Sequence, residues 1–113
     1  MAGGQEVKRY GMVIRLRPDG EQRYRELHEQ VWPPVLAMIR ACNIRNYSIY
    51  AHGGMLFSYF EYCGGDFAAD MAKMAADPAT QEWWAVVKPL QEPLPGRKEG
   101  EWWAEMDEVF HMD

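Results

Sequence analysis

The chain has 113 residues, of which 48% are hydrophobic and 26% are charged, and its formal net charge at pH 7 is −5. This length and composition predict one globular domain over residues 1–113, and the negative charge argues against a nucleic-acid partner. No apolar run approaches the roughly 20 residues that a membrane-spanning helix needs, and the opening residues lack the apolar stretch of a signal peptide, so we expect no membrane association.

The first third of the chain predicts a strand followed by a broken helix. Residues 1–8 form a short N-terminal extension, and residues 9–17 alternate, with one apolar face made of Tyr10, Met12, Ile14 and Leu16. A turn follows at Pro18-Asp19-Gly20. From Glu21 to about Cys42 the apolar residues recur with a helical period, but Pro33 removes an amide donor, so we expect a kink or two helical pieces there.

A β-hairpin is predicted in the middle of the chain. Asn46–Ala51 and Met55–Tyr62 are rich in aromatic and β-branched residues, as strands are. They flank His52-Gly53-Gly54, and two adjacent glycines can adopt the positive φ angles of a tight hairpin turn.

The last part of the chain predicts two capped helices, a long loop and a strand. Asp66 can cap a helix from about Phe67 to Ala76, and Asp77 followed by Pro78 can open another that ends near Val87. Prolines and glycines mark a long loop over residues 89–103, and loops of this length are often functional. Met106–Met112 is predicted to be the last strand.

The predicted order β-α-β-β-α-(α)-β indicates an α+β fold. It is the ferredoxin-like split βαβ sandwich, a four-stranded antiparallel sheet with helices on one face. The other sheet face also needs cover, and a second copy of the chain is the economical solution. We therefore expect a homodimer of the dimeric α/β-barrel type.

Sequence motifs for metal, phosphate and nucleophilic chemistry are missing. The chain has no Gly-rich phosphate loop, no G-x-S-x-G, no H-E-x-x-H and no C-x-x-C. We expect no metal and no cofactor. Cys42 and Cys63 have no metal-type spacing, which favours a reducing, cytoplasmic setting.

Aromatic and imidazole side chains are the candidates for function. Tyr24, His28 and Trp32 are four residues apart, so one face of a helix presents all three. An imidazole can give or take a proton near pH 7, and a flat ring can cover the apolar face of a sugar. A single histidine is weak evidence, however, and a half-buried structural role for His28 is the competing interpretation.

The other aromatic pairs leave similar choices open. Tyr47 and Tyr50 lie on opposite faces of their strand, so only one can face a given pocket, and Tyr50 shares the more polar face. Neighbouring helical positions diverge by about 100°, so Trp83 and Trp84 cannot both be core residues. For the pair Trp102-Trp103 we favour packing at a dimer interface.

Taken together, these stretches resemble the L-rhamnose mutarotase family. The resemblance runs from about Tyr10 to Met112, and the matching motifs are Tyr24-x-x-x-His28-x-x-x-Trp32-Pro33, Asn46-Tyr47-Ser48-Ile49-Tyr50, Glu82-Trp83-Trp84 and Glu108-Val109-Phe110. No single motif is decisive, but their order and spacing over one small domain are fairly specific.

The resemblance implies an isomerase that interconverts the α and β anomers of L-rhamnose or a related 6-deoxy sugar, as a dimer without a metal or an organic cofactor. It implies that His28 is the general acid and that the sugar-binding residues are Tyr24, Tyr50, Trp83 and Trp84. General acid–base catalysis suits a reaction that opens and closes a hemiacetal ring.

Two other functions compete with the mutarotase. One is a ferredoxin-like, cofactor-free or haem-handling oxygenase, and the other is a non-catalytic ligand-binding module, because the fold alone does not decide function. The preferred sugar and the base that removes the anomeric proton stay open.

Overall fold

A computed structural model describes residues 6–113 and contains one antiparallel sheet. Its strands are β1 (Lys8–Leu16), β2 (Ile44–His52), β3 (Met55–Tyr62), β4 (Gln91–Glu92) and β5 (Ala104–Met106). The strand order is β2-β3-β1-β4, and β5 also pairs with β1. Residues 1–5 of the expected N-terminal extension lie outside the described residues, and β1 begins at Lys8, inside the predicted extension.

The long helical segment is divided, as its prolines predict. A single 3₁₀ turn, Pro18–Gly20, leads into α1 (Glu21–Glu29), and α2 (Pro33–Ala41) begins at the first of the two prolines. Proline is accommodated at the first helical position because its missing N–H has no partner there.

Two further helices, α3 (Phe67–Ala75) and α4 (Pro78–Val87), begin at the predicted caps. The side chain of Asp66 accepts from the Ala69 amide, and that of Asp77 accepts from the Thr80 amide. In the part of the chain that the structure describes, no helix is both long and apolar enough to cross a membrane.

The β2–β3 hairpin closes at Gly53 and Gly54, whose φ angles are 58° and 78°. Only glycine adopts two such values in succession without steric cost, so the predicted turn chemistry is confirmed.

The predicted position of the last strand is wrong. The strand predicted over Met106–Met112 is instead β5, Ala104–Met106, and no strand is assigned over 107–113. The predicted 89–103 loop is interrupted by β4, so the connection between β4 and β5 is residues 93–103. β4 pairs with the end of β1 at Arg15 and Leu16, whereas β5 pairs with Gly11, Met12 and Val13. The two short strands therefore act as one interrupted edge strand.

The helices cover one face of the sheet only. The core beneath them has two clusters: Ile14, Leu16, Tyr24, Val35, Leu56, Trp83 and Val87 in the first, and Cys42, Ile44, Phe60, Tyr62 and Met74 in the second. The predicted ferredoxin-like α+β fold is confirmed, and none of the helices in the described part of the chain covers the other face of the sheet.

Candidate active site

His28 sits in the last turn of α1 with one ring nitrogen fixed. Its Nδ1 lies 2.8 Å from the backbone carbonyl oxygen of Tyr24. A carbonyl oxygen only accepts, so Nδ1 carries a proton and donates it. In the neutral imidazole the other nitrogen, Nε2, is then unprotonated and free to accept a proton.

An aromatic cluster surrounds this imidazole. The Tyr24 ring stacks on the His28 ring with centroids 4.1 Å apart, one turn earlier on α1. Helix α4 presents Trp83 edge-on to His28 at 5.2 Å, and Trp32 meets Trp83 edge-on at 5.1 Å. The spacing of Tyr24, His28 and Trp32 thus brings all three to one cluster, even though the helix breaks before Trp32.

Burial keeps His28 and Tyr24 uncharged at neutral pH. Desolvation lowers the pKa of His28, and the hydrogen bond to the Tyr24 carbonyl opposes this only in part. Desolvation raises the pKa of Tyr24, with a further rise from the nearby Tyr47 and an opposing effect of the Gln91 hydrogen bond. The site therefore holds a neutral imidazole beside a protonated phenol.

Tyr47 faces the helices because β2 contains a bulge. Arg45 pairs with Glu61 and Ser48 with Tyr59, so two residues of β2 lie opposite Phe60 alone. Asn46 adopts a positive φ of 50° there, and the Tyr47 ring contacts Phe60 edge-on at 5.6 Å. Burial of its hydroxyl raises the pKa of Tyr47 to about 12, although the residue keeps 42% of its surface exposed. Tyr47 therefore lies on the helix-covered side of the sheet with part of its side chain accessible.

Tyr50 does not join this cluster. It pairs with Phe57 on the helix-free face of the sheet, on the side opposite Tyr24 and His28, and it is 65% exposed. The structure therefore does not bring Tyr50 together with Tyr24 and His28, and its predicted role in sugar binding stays a prediction. Tyr47 is the β2 tyrosine on the helix-covered face.

The two tryptophans of α4 diverge as the helix geometry predicts. Trp83 is 6% exposed and belongs to the first core cluster, whereas Trp84 is half-buried and packs against both clusters. The ammonium of Lys88 lies 4.9 Å from the Trp84 ring and 5.2 Å from that of Trp102. Trp84, Lys88 and Trp102 line a shallow groove of about 580 Å³, and Trp83, His28 and Tyr24 do not.

Gln91 and Trp102 are connected to the site through hydrogen bonds. The Gln91 amide nitrogen lies 3.3 Å from the Tyr24 hydroxyl, and the Trp102 indole nitrogen lies 2.7 Å from the Gln91 amide oxygen. The expectation that Trp102 packs at a dimer interface is therefore incomplete, because it packs against the core of its own chain. Sequence analysis missed Gln91, since a lone glutamine in a predicted loop carries no signal.

The described residues offer little for a metal. Within residues 6–113, no group of three or more His, Cys, Asp or Glu side chains is arranged to hold an ion. What the cluster can do chemically is exchange a proton at Nε2, donate a hydrogen bond from a phenol and cover an apolar ligand face with indole and phenol rings.

Comparison with known proteins agrees with this chemistry. A family model described as L-rhamnose mutarotase matches residues 9–112. The L-rhamnose mutarotase of Oceanobacillus iheyensis is 29% identical over 95% of this chain and 100% of its own length. The L-fucose mutarotase of Xanthomonas campestris is 34% identical over 94% of this chain and 89% of its own length.

A solved structure has the same fold. The crystal structure of an L-rhamnose mutarotase from Formosa agariphila superposes with a TM-score of 0.71 at 21% identity, covering 94% of this chain and 99% of that chain. The chain belongs to the L-rhamnose mutarotase family, which confirms the resemblance and the isomerase class that it implied. The family favours the mutarotase over the oxygenase and the non-catalytic module.

Proposed function

We propose that this chain interconverts the α and β anomers of L-rhamnose. The observation that supports this most strongly, beside the family, is the His28 imidazole with Nδ1 anchored and Nε2 free in an aromatic cluster. Anomer exchange needs a proton removed from the anomeric hydroxyl and a proton delivered to the ring oxygen, and the reverse when the ring closes. No nucleophile is needed for these steps.

His28 exchanges the proton through Nε2. At neutral pH the imidazole is unprotonated at Nε2, so it acts first as the base, and the cation that forms returns the proton as the acid. The same group serves both directions, as microscopic reversibility requires. This role of His28 includes the general acid that the resemblance implied. It also makes His28 the base that removes the anomeric proton, which the sequence left open.

The aromatic side chains hold the sugar. A 6-deoxy sugar presents a methyl group and C–H faces to aromatic rings, while phenol and indole groups reach its hydroxyls. We assign the sugar contacts to Tyr24, Tyr47, Trp83 and Trp84, with Tyr47 in place of Tyr50. The accessible part of Tyr47 and the half-buried Trp84 are the surfaces open to such a ligand.

L-Rhamnose is the first substrate to test and L-fucose the second, because relatives with both names are similar to this chain. Saturation-transfer NMR across L-rhamnose, L-fucose and a pentose measures anomer exchange directly. We expect the largest acceleration over buffer for L-rhamnose. Acceleration of none of the three sugars contradicts the proposed function.

We propose further that the chain works as a homodimer through the helix-free sheet face. Tyr50 is 65% exposed on that face, and in the segment that follows β5 Val109, Phe110 and Met112 are 95%, 79% and 78% exposed. Such a surface is typical of an interface rather than of a free monomer.

Light scattering tests the dimer. We expect a mass twice the 13.1 kDa of the chain and a shift to the monomer mass in Phe110→Glu. The matched control is Leu36→Glu, because Leu36 is an exposed apolar residue, 53% accessible, on α2. If Phe110→Glu and Leu36→Glu have the same mass in solution, the assigned dimer interface is wrong.

A reducing compartment such as the cytoplasm suits the two cysteines. Cys42 is buried, Cys63 is partly buried, and both thiols are free. Cysteines of secreted proteins are usually paired, so free thiols support this location.

A further inference from the structure

A chain of two hydrogen bonds runs from the long loop to the candidate site. The Trp102 indole N–H can only donate, so the Gln91 atom 2.7 Å away must be the amide oxygen. The Gln91 NH₂ is then directed toward the Tyr24 hydroxyl at 3.3 Å, and it donates to that oxygen. Trp102 thus determines which end of the Gln91 amide meets Tyr24.

The direction of these bonds determines what Tyr24 can offer to a ligand. Its oxygen already accepts from Gln91, so its hydrogen is directed elsewhere. Among residues 6–113 the only hydrogen-bond partner of this hydroxyl is Gln91. A buried hydroxyl hydrogen without an acceptor is costly, and a sugar oxygen would satisfy it.

We propose that Gln91, held by Trp102, is a positioning residue that makes the Tyr24 hydroxyl a hydrogen-bond donor toward the bound sugar. The proposal rests on the proposed function and deepens it. In this proposal Gln91 acts through Tyr24, to which it is hydrogen-bonded, and its side chain also lines the groove beside Trp84. Gln91 is 4% exposed and anchored in β4 opposite Leu16, so its backbone has little freedom to move.

The loop between β4 and β5 supports this arrangement. Arg97 donates to the backbone oxygens of Leu94 and Glu101 at 3.1 and 2.8 Å, which ties the loop to itself just before Trp102. The Lys88 ammonium then packs over the Trp102 ring. The loop that interrupts the edge strand therefore places the Trp102 indole N–H, which can only donate, beside the Gln91 amide oxygen, the end of the amide that faces away from Tyr24.

The test is the near-isosteric change Gln91→Glu. A carboxylate only accepts, so it accepts from both Trp102 and Tyr24 and turns the Tyr24 hydrogen away from the sugar. We expect L-rhamnose exchange to fall about tenfold or more, the effect of losing one buried hydrogen bond. A second variant, Trp102→Phe, frees the amide to rotate, and we expect a smaller loss of about two- to threefold from that weaker constraint.

A double-mutant cycle with Tyr24→Phe separates positioning from general damage. Gln91 is proposed to act only through the Tyr24 hydroxyl. In the Tyr24→Phe background, which lacks that hydroxyl, Gln91→Glu and Trp102→Phe should each change the exchange rate less than about twofold. Equal losses in both backgrounds, or no loss in the parent background, overturn the proposal. If Gln91→Glu does not fold at the assay temperature, the Trp102→Phe cycle decides by the same criteria.

Sugar affinity distinguishes this proposal from the proposed function. If the parent protein does not accelerate exchange, the proposed function fails, and the same cycle measured as L-rhamnose affinity by tryptophan fluorescence still decides the role of Gln91. If the parent neither exchanges nor binds the sugar, both proposals are overturned.

Discussion

Replacing His28 with asparagine should remove catalysis and leave the fold intact. The asparagine side-chain nitrogen can occupy the place of Nδ1 and keep the hydrogen bond to the Tyr24 carbonyl, but nothing replaces Nε2. A positioned acid–base group contributes about 10²–10⁴-fold, or roughly 3–5 kcal/mol of barrier, so we expect exchange to fall at least 10²-fold.

The structural cost of this change is smaller. His28→Asn loses the ring contacts with Tyr24 and Trp83, each worth about 0.5–1.5 kcal/mol, and retains a hydrogen bond worth about 1 kcal/mol. The expected loss of unfolding free energy is therefore about 1–3 kcal/mol, which lowers the melting temperature by several degrees and leaves a folded protein at 25 °C.

Exchange NMR and thermal melting of the same preparations provide the assay. The control is His52→Asn, since His52 is exposed at the end of β2 on the helix-free side of the sheet. We expect this control to match the parent protein in exchange. If His28→Asn retains parental exchange, His28 is a structural histidine and does not transfer the proton.

Two other predictions concern pH and the tryptophan pair. Burial lowers the pKa of His28 below its ordinary value of 6.5, and the neutral imidazole is the active form. The rate of protein-catalysed exchange should therefore be level near pH 7 and fall on acidification, with a midpoint below pH 6.5. A rate that rises as the pH falls contradicts this prediction. Trp83→Phe should lower both the melting temperature and exchange, because Trp83 is a core residue that also contacts His28, whereas Trp84→Phe should lower sugar affinity with a smaller change in melting. Sugar affinity and melting measured for both variants check this, and the reverse order of melting temperatures contradicts it.

Elements with local signals could be predicted from the sequence. The helix break at Pro33, the caps at Asp66 and Asp77 and the glycine turn of the hairpin each depend on a few neighbouring residues, and all appear where expected. The cluster of Tyr24 and His28 was predictable for the same reason, since it depends on helical spacing.

Features that depend on distant pairing could not be predicted. The last strand is fixed by pairing with Gly11–Val13, which lie far earlier in the chain, whereas Val109, Phe110 and Met112 favoured a strand beyond its true end. The face of Tyr47 depends on the β2 bulge. Ile44 and Ile49 both face the helices although they are five positions apart, an odd offset that only a bulge permits, and this offset was the overlooked signal.

The central claim is that this chain catalyses anomer exchange of L-rhamnose, and saturation-transfer NMR of that sugar at pH 7 tests it most directly. Magnetisation is transferred between the two anomeric proton signals at several protein concentrations, with a chelator present throughout. The account predicts an exchange rate that rises in proportion to protein concentration and that His28→Asn reduces at least 10²-fold. A rate equal to that of buffer at every concentration would contradict it.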